Sequence, residues 1–190
     1  MSAIVQHKSV LIAVLVVMLV GYLTPVVEAG PSSTRLKAMD ILYRAYSRLE
    51  GQRDNSGGVS EISIKLAKID IDRALAIDPE FAYANIVRAQ VALMEGHWEE
   101  ARDYFLKGIT LTHEPDQIYS PDPSIVITAK EVRTDAQVFL AFSYFQLANE
   151  ATMKYDLVSA QLGIEKAKSI LKMCLVSKPS PQTKEMAEEL

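Results

Sequence analysis

From residue 33 onward, apolar side chains recur at every third or fourth position, as at Ala67, Ile71 and Ala74 and again at Ala101, Phe105 and Ile109. That spacing gathers them on one face of an α-helix, whereas a half-buried strand needs strict alternation, and alternation is almost missing here. The pattern predicts an all-α domain over residues 33–190. Ahead of it, residues 10–20 form an unbroken apolar run behind a polar start that carries Lys8. Pro25 then breaks the run, and Val27-Glu28-Ala29 offers small residues at the spacing a signal peptidase reads. Read as one segment, residues 10–27 number 18, near the lower limit of ~17–25 for a spanning helix. Two fates stay open: residues 1–29 are a cleaved signal peptide, or they remain as a membrane anchor. Either one sends residues 30–190 to an extracytoplasmic place, periplasmic or exported, and membrane contact runs through residues 10–27 only if they are retained.

Comparing the exported part with itself gives the strongest signal in the chain. Ala67, Ile71, Ala74 and Pro79 are matched 34 residues on by Ala101, Phe105, Gly108 and His113, and 66 beyond that by Ala167, Leu171, Cys174 and Pro179. A small, large, small spacing followed by a helix stop describes a helix packed closely against its neighbours. The small residues let backbones approach, and the large one fills the gap between them. A second pattern precedes each of these helices: Arg44-Ala45 with Leu49-Glu50-Gly51, Arg88-Ala89 with Leu93 and Glu95-Gly96, and Leu140-Ala141 with Tyr144.

A 34-residue unit of this kind resembles the tetratricopeptide repeat. The resemblance implies about three antiparallel helix pairs, each an A helix followed by a B helix, with units near residues 38–79, 82–115 and 134–179. Arg44 and Arg88 stand where the family prefers leucine, which points to a rotation of the first two A helices. In this family the A helices line a concave groove that takes a peptide. Mapped residue by residue, the groove would be lined by Met39, Leu42, Tyr46 and Leu49 from the first unit and by Tyr83, Ile86, Gln90 and Leu93 from the second. The third unit would add Asp135, Val138, Phe142 and Phe145. Some family members clamp a terminal carboxylate with a lysine and an asparagine; the matching positions here hold Leu42 with Tyr46, and Ile86 with Gln90. The groove therefore suits an apolar or amphipathic segment, unless residues 116–133 or the terminal helix already cover it.

Subtraction locates the irregularities. The first unit carries ten extra residues in GQRDNSGGVS, a Gly, Ser and Asn composition that predicts a mobile loop. The third carries fourteen extra around EATMKYDLVSAQLG, enough to lengthen both of its helices. Between the second and third units, prolines at 115, 121 and 123 exclude helix, and IVITAKEVRT can start one. Ser180-Pro181 introduces a short capping helix over residues 181–190.

Composition narrows the function. With 20 basic and 24 acidic residues, net −4, nothing favours a phosphate backbone, so nucleic acid is not an expected partner. Cys174 is the one cysteine, so no intramolecular disulfide or Cys-x-x-Cys site can form. Its position predicts a packed thiol. His97 and His113 lack the companions of a metal or hydrolytic site. Asp70, Asp72, Glu99 and Glu100 read as solvated charge. No metal, cofactor or catalytic residue is expected, and a hydrolase would need a converging polar cluster that the sequence does not supply. The expected function is an exported protein-binding scaffold or assembly adaptor. The alternative is a membrane-tethered accessory structural subunit of a larger membrane complex. If residues 1–29 are removed, the intact mass of the native protein corresponds to a start at Gly30; a heavier chain resistant to carbonate extraction would establish the anchor.

Overall fold

The computed structural model describes residues 32–50, 59–112 and 128–176, together with Lys184 and Ala187. These residues form six helices: α1 (Ser33–Glu50), α2 (Glu61–Ile77), α3 (Ala82–Met94), α4 (Trp98–Leu111), α5 (Ala129–Met153) and α6 (Leu157–Val176). No strand occurs among the described residues, and no helix among them is long and apolar enough to cross a membrane. Residues 1–29, most of the expected loop at 51–60, the linker from 113 to 127, and Pro179 lie outside the described residues. So does the expected capping helix apart from Lys184 and Ala187, both of which are helical.

Local chemistry sets the helix ends. The Ser60 side chain accepts from the Ser63 backbone N–H at 3.2 Å and caps α2. At the other end, Pro79 disfavours helical backbone at Asp78, and α2 stops at Ile77. Helix α3 closes on Gly96 at φ 74°, with Gly96 N–H donating to Leu93 and His97 N–H to Ala92. Those two bonds form a Schellman motif, whose left-handed residue is usually glycine. Helix α5 opens on a capping box: the Glu131 N–H donates to Thr128 Oγ1 at 3.2 Å, and the Thr128 N–H donates to Glu131 Oε2 at 2.8 Å. These bonds from Thr128 hold the Glu131 carboxyl below its usual range. The helix expected to begin within residues 125–134 thus starts at Ala129.

Packing joins α1 to α2, α3 to α4 and α5 to α6 as antiparallel pairs, and each pair meets the next through α2 with α3 and α4 with α5. Helix α3 is buried on two sides. Phe81, Ala84, Val87 and Val91 join Ala45, Leu49, Ala67, Ile71 and Ala74 in one core. Ala82, Ile86, Ala89 and Ala92 join Ala101 and Phe105 of α4 and Val132, Ala136 and Leu140 of α5 in a second. A third, smaller cluster sets Val138 against Cys174 and Ala187.

The repeated small residues lie in the packed interior. Ala67, Ala74, Ala101, Gly108, Ala167 and Cys174 are all buried. A Cβ on Gly108 would fall 2.6 Å from the Ile86 side chain and 3.2 Å from the Ala82 carbonyl, so the α3 and α4 backbones touch there. Gly163 plays the same part between α6 and α5, where a Cβ would lie 2.9 Å from that of Ala148. Cys174 is packed as expected, and burial pushes its thiol pKa up.

One expectation about charge is corrected. Ala45 and Ala89 are both fully buried, Arg44 is exposed, and Arg88 is buried in ion pairs. Asp70 is buried rather than solvated, and it receives Arg48 at 3.1 Å. A buried charge is tolerated because each has an opposite partner within hydrogen-bond reach. Replacing Ala101 with leucine overpacks the contact between α3 and α4, and stability should fall by about 1–3 kcal/mol; an unchanged thermal midpoint would mean that this contact is loose.

Candidate functional site

The odd-numbered helices share one face, and that face holds a cavity of about 420 Å³. Tyr46 and Leu49 of α1 line it with Val59, and α3 contributes Tyr83, Ile86, Gln90, Leu93 and Met94. Helix α5 adds Val132, Asp135, Ala136 and Phe139. Of the residues expected in a groove, all four from α3 therefore face this space. From α1, Tyr46 and Leu49 do so, while Leu42 belongs to the core between α1 and α2 and Met39 packs against it.

On α5 the expected positions are displaced by about one turn. Asp135 lines the cavity, but Val138, Phe142 and Phe145 do not. Val138 is fully buried against Cys174. Phe142 meets Trp98 edge-on, with ring centroids 6.0 Å apart, and Phe145 lies further along at the exposed surface. The physical reason is the length of α5: its first turns, with Val132, Asp135 and Ala136, line the cavity beside α3, while Phe142 and Phe145 lie further along the helix. Phe139 takes the place expected for Phe142, stacked on Phe105 at 6.0 Å. A signal for the true register was present in Ala129, Val132, Ala136 and Leu140, whose three-and-four spacing marks the face that joins the α3 and α4 core.

The lining is mainly apolar, with phenolic and amide groups from Tyr46, Tyr83 and Gln90 and one ionisable carboxyl, Asp135. Elsewhere, charge is organised into a network joining α2, α3 and α4. Arg88, 3% exposed, donates through Nε to Asp72 at 2.9 Å and through Nη2 to Glu100 at 2.6 Å. Its guanidinium lies 5.1 Å from the centroid of the Tyr104 ring. These acids are far apart in the sequence, and the cation that joins them comes from a third helix.

Glu95, His97 and Glu100 bring three potential ligand atoms within 4.8 Å of one another beside the α3–α4 turn. Both carboxylates already have cationic partners, Lys68 on Glu95 at 2.6 Å and Arg88 on Glu100. The trio is explained as part of an ion-pair network, and a metal ion would have to compete with both cations. His97 is exposed at the start of α4 with Nδ1 3.4 Å from Glu95, and His113 lies outside the described residues. Cys174 is buried with a raised thiol pKa, the opposite of what a nucleophilic thiolate requires.

No protein-family model and no curated protein sequence matches this chain.

Burial works to raise the Glu95 carboxyl pKa, but the hydrogen bond and charge of Lys68, aided by His97 and Arg88, outweigh it and hold the group below the usual range. A depressed folded-state pKa stabilises the fold above the ordinary carboxylate range, and that stability is lost as pH falls through the folded value. Glu95→Gln should therefore cost about 0.5–1.5 kcal/mol at neutral pH. The difference from the parent should shrink as pH falls below about 4. Urea titrations across that range check the sign, and a gap that widened in acid would contradict it.

Proposed function

We propose that this protein is an exported scaffold or assembly adaptor of tetratricopeptide-like construction, which binds an apolar or amphipathic partner segment in the groove along α1, α3 and α5 and carries out no catalysis. The observation behind this reading is the convergence of Tyr46, Tyr83, Ile86, Gln90, Leu93 and Phe139, from three non-consecutive helices, on one concavity of about 420 Å³. A mainly apolar depression with a few fixed polar groups is the usual form of a binding pocket. The 34-residue recurrence of Ala67 and Ala101, both fully buried, supports the repeat reading. The apolar run at residues 10–27 supports export and equally favours the second reading, a membrane-tethered accessory subunit fixed in a larger complex.

Tyr46→Ser combined with Met94→Ser removes groove surface without touching the fully buried core. Partner capture from native extracts should fall at least about tenfold, equivalent to 1.4 kcal/mol. Helicity should be unchanged, and capture by the parent should survive high salt because apolar burial is not screened. Undiminished capture by the double variant would remove the groove from the function.

A further inference from the structure

Helix α2 packs between α1 and α3, and its outer flank is exposed. Lys68 and Asp72 mark the side turned to α3, through their bonds to Glu95 and Arg88. Ile62, Leu66, Ile69, Arg73 and Ile77 follow one another at helical spacing, which sets them in a stripe on the other flank. Ile62 is 70% exposed, Ile69 49%, Leu66 41% and Ile77 37%. A stacked array closes its ends with polar faces, because nothing packs beyond them. Here the end is a row of large aliphatic side chains, and such a row marks an interaction surface.

The charges along this flank define what it can meet. Arg48 of α1 reaches Asp70 at 3.1 Å, and Arg73 of α2 approaches the same carboxylate at 3.5 Å, so the outer flanks of the two helices meet there. Lys37 and Arg44 fall on the Arg48 side of α1, both exposed and neither in an ion pair among the described residues. Lys65 adds a further cation, 3.9 Å from Glu61. Against these five cations stand Asp40, Glu61 and Asp70, of which Asp70 is buried between two guanidiniums. The flank is thus cationic on a chain whose net charge is −4. The α5–α6 turn exposes Leu157 and Val158 as fully, but it carries Glu150 and Asp156 beside Lys154.

Aliphatic side chains bordered by lysine and arginine suit a bilayer interface, where the apolar groups enter the acyl boundary and the cations stay with anionic headgroups. Chain connectivity selects the same occupant. Residues 28–32 alone separate the apolar run from α1, and five residues span at most ~18 Å. The start of α1 lies beside the end of α2, where Arg35 bonds Asp78. A retained run therefore holds this pair within one short tether of the lipid. We propose that the outer flank of α1 and α2 docks on an anionic bilayer surface, with Ile62, Leu66 and Ile69 in the acyl boundary and Lys37, Arg44 and Lys65 at the phosphates. This rests on the tethered reading for proximity and not on the groove. Tyr46, two residues from both Arg44 and Arg48, stands on the opposite side of α1, so docking leaves the groove facing away from the lipid.

Quenching by brominated acyl chains tests it. Ile69→Cys carries a thiol-directed bimane probe in the full chain, where Cys174 is buried and does not compete. On phosphatidylcholine vesicles with about 30% phosphatidylglycerol, emission should fall at least about twofold. It should recover in about 0.5 M salt and change little on phosphatidylcholine alone. The same probe at Leu157→Cys should stay unquenched. Lys37→Glu, Arg44→Glu and Lys65→Glu together should abolish quenching at Ile69 with helicity unchanged, since all three are exposed. An unquenched Ile69 probe on anionic vesicles would overturn the proposal, as would equal quenching at Leu157 or quenching that survives the charge reversals. Flotation with neutral vesicles and no quenching at Ile69 on either kind would keep the tether and remove this face. Quenching by a native chain that begins at Gly30 would keep the face and remove the tether.

Discussion

Helix α3 has to satisfy two cores at once. Its buried positions divide between Phe81, Ala84, Val87 and Val91 on one side and Ala82, Ile86, Ala89 and Ala92 on the other. With so little of its circumference left for solvent, neighbouring helices must come close, and close approach demands small residues at the contacts. Gly108 is the limiting case, since even a methyl group there would collide with Ile86 and crowd the α3 backbone. Large side chains then occupy the spaces that the small ones leave, Ile71 on one side and Phe105 on the other. The groove follows from the same constraint. Alternating small and large contacts hold α1, α3 and α5 along one face, and the exposed edges of their packed side chains become the lining.

The burial of Arg88 is a consequence of that crowding. A guanidinium on a helix packed from both sides cannot reach bulk water, so it is retained only with fixed acceptors. Asp72 from the preceding pair and Glu100 from its own pair supply them, and Tyr104 covers the face of the guanidinium. The network joins successive pairs electrostatically where the apolar cores join them by area. Lys68 and Glu95 extend it from α2 toward the α3–α4 turn. Carboxylates that look like an open cluster around His97 are thereby explained as parts of the scaffold.

The pair formed by α5 and α6 departs from the other two in length. Helix α5 has 25 residues against 13 in α3, and it runs on for about 16 Å beyond Phe142. There the pair relies on its own close contact, Gly163 against Ala148. An extension stabilised in this way leaves its tip without a neighbouring helix among the described residues, and Met153, Tyr155, Leu157 and Val158 are exposed there. Groove and tip are thus products of the same repeat architecture, one where three helices lie side by side and the other where one pair outgrows them.

Much of this was legible from residue order alone. The three-and-four periodicity specified helices, the recurrence of Ala67, Ala101 and Ala167 specified which faces meet, and subtraction located the residues that lengthen the last pair. All of these are local properties, set by the pitch of a helix and the size of a side chain. The α3 side of the groove was legible for the same reason, because α3 is a short helix with its turn residues, Glu95 and Gly96, in plain view. The α5 side was not. A helix of 25 residues can slide by a turn against its neighbours without altering its own periodicity, and only the contacts with α3 and α4 select Val132, Asp135 and Phe139 over Val138, Phe142 and Phe145. Nor could the chain by itself announce that Arg88 is buried, or that Tyr155 takes the conformation that Gly96 takes in the matching turn. Sequence fixed the helices and their small contact faces, because those depend on neighbours three and four residues away. Register, buried charge and the strained tip were decided by tertiary structure, because they depend on partners brought in from other helices.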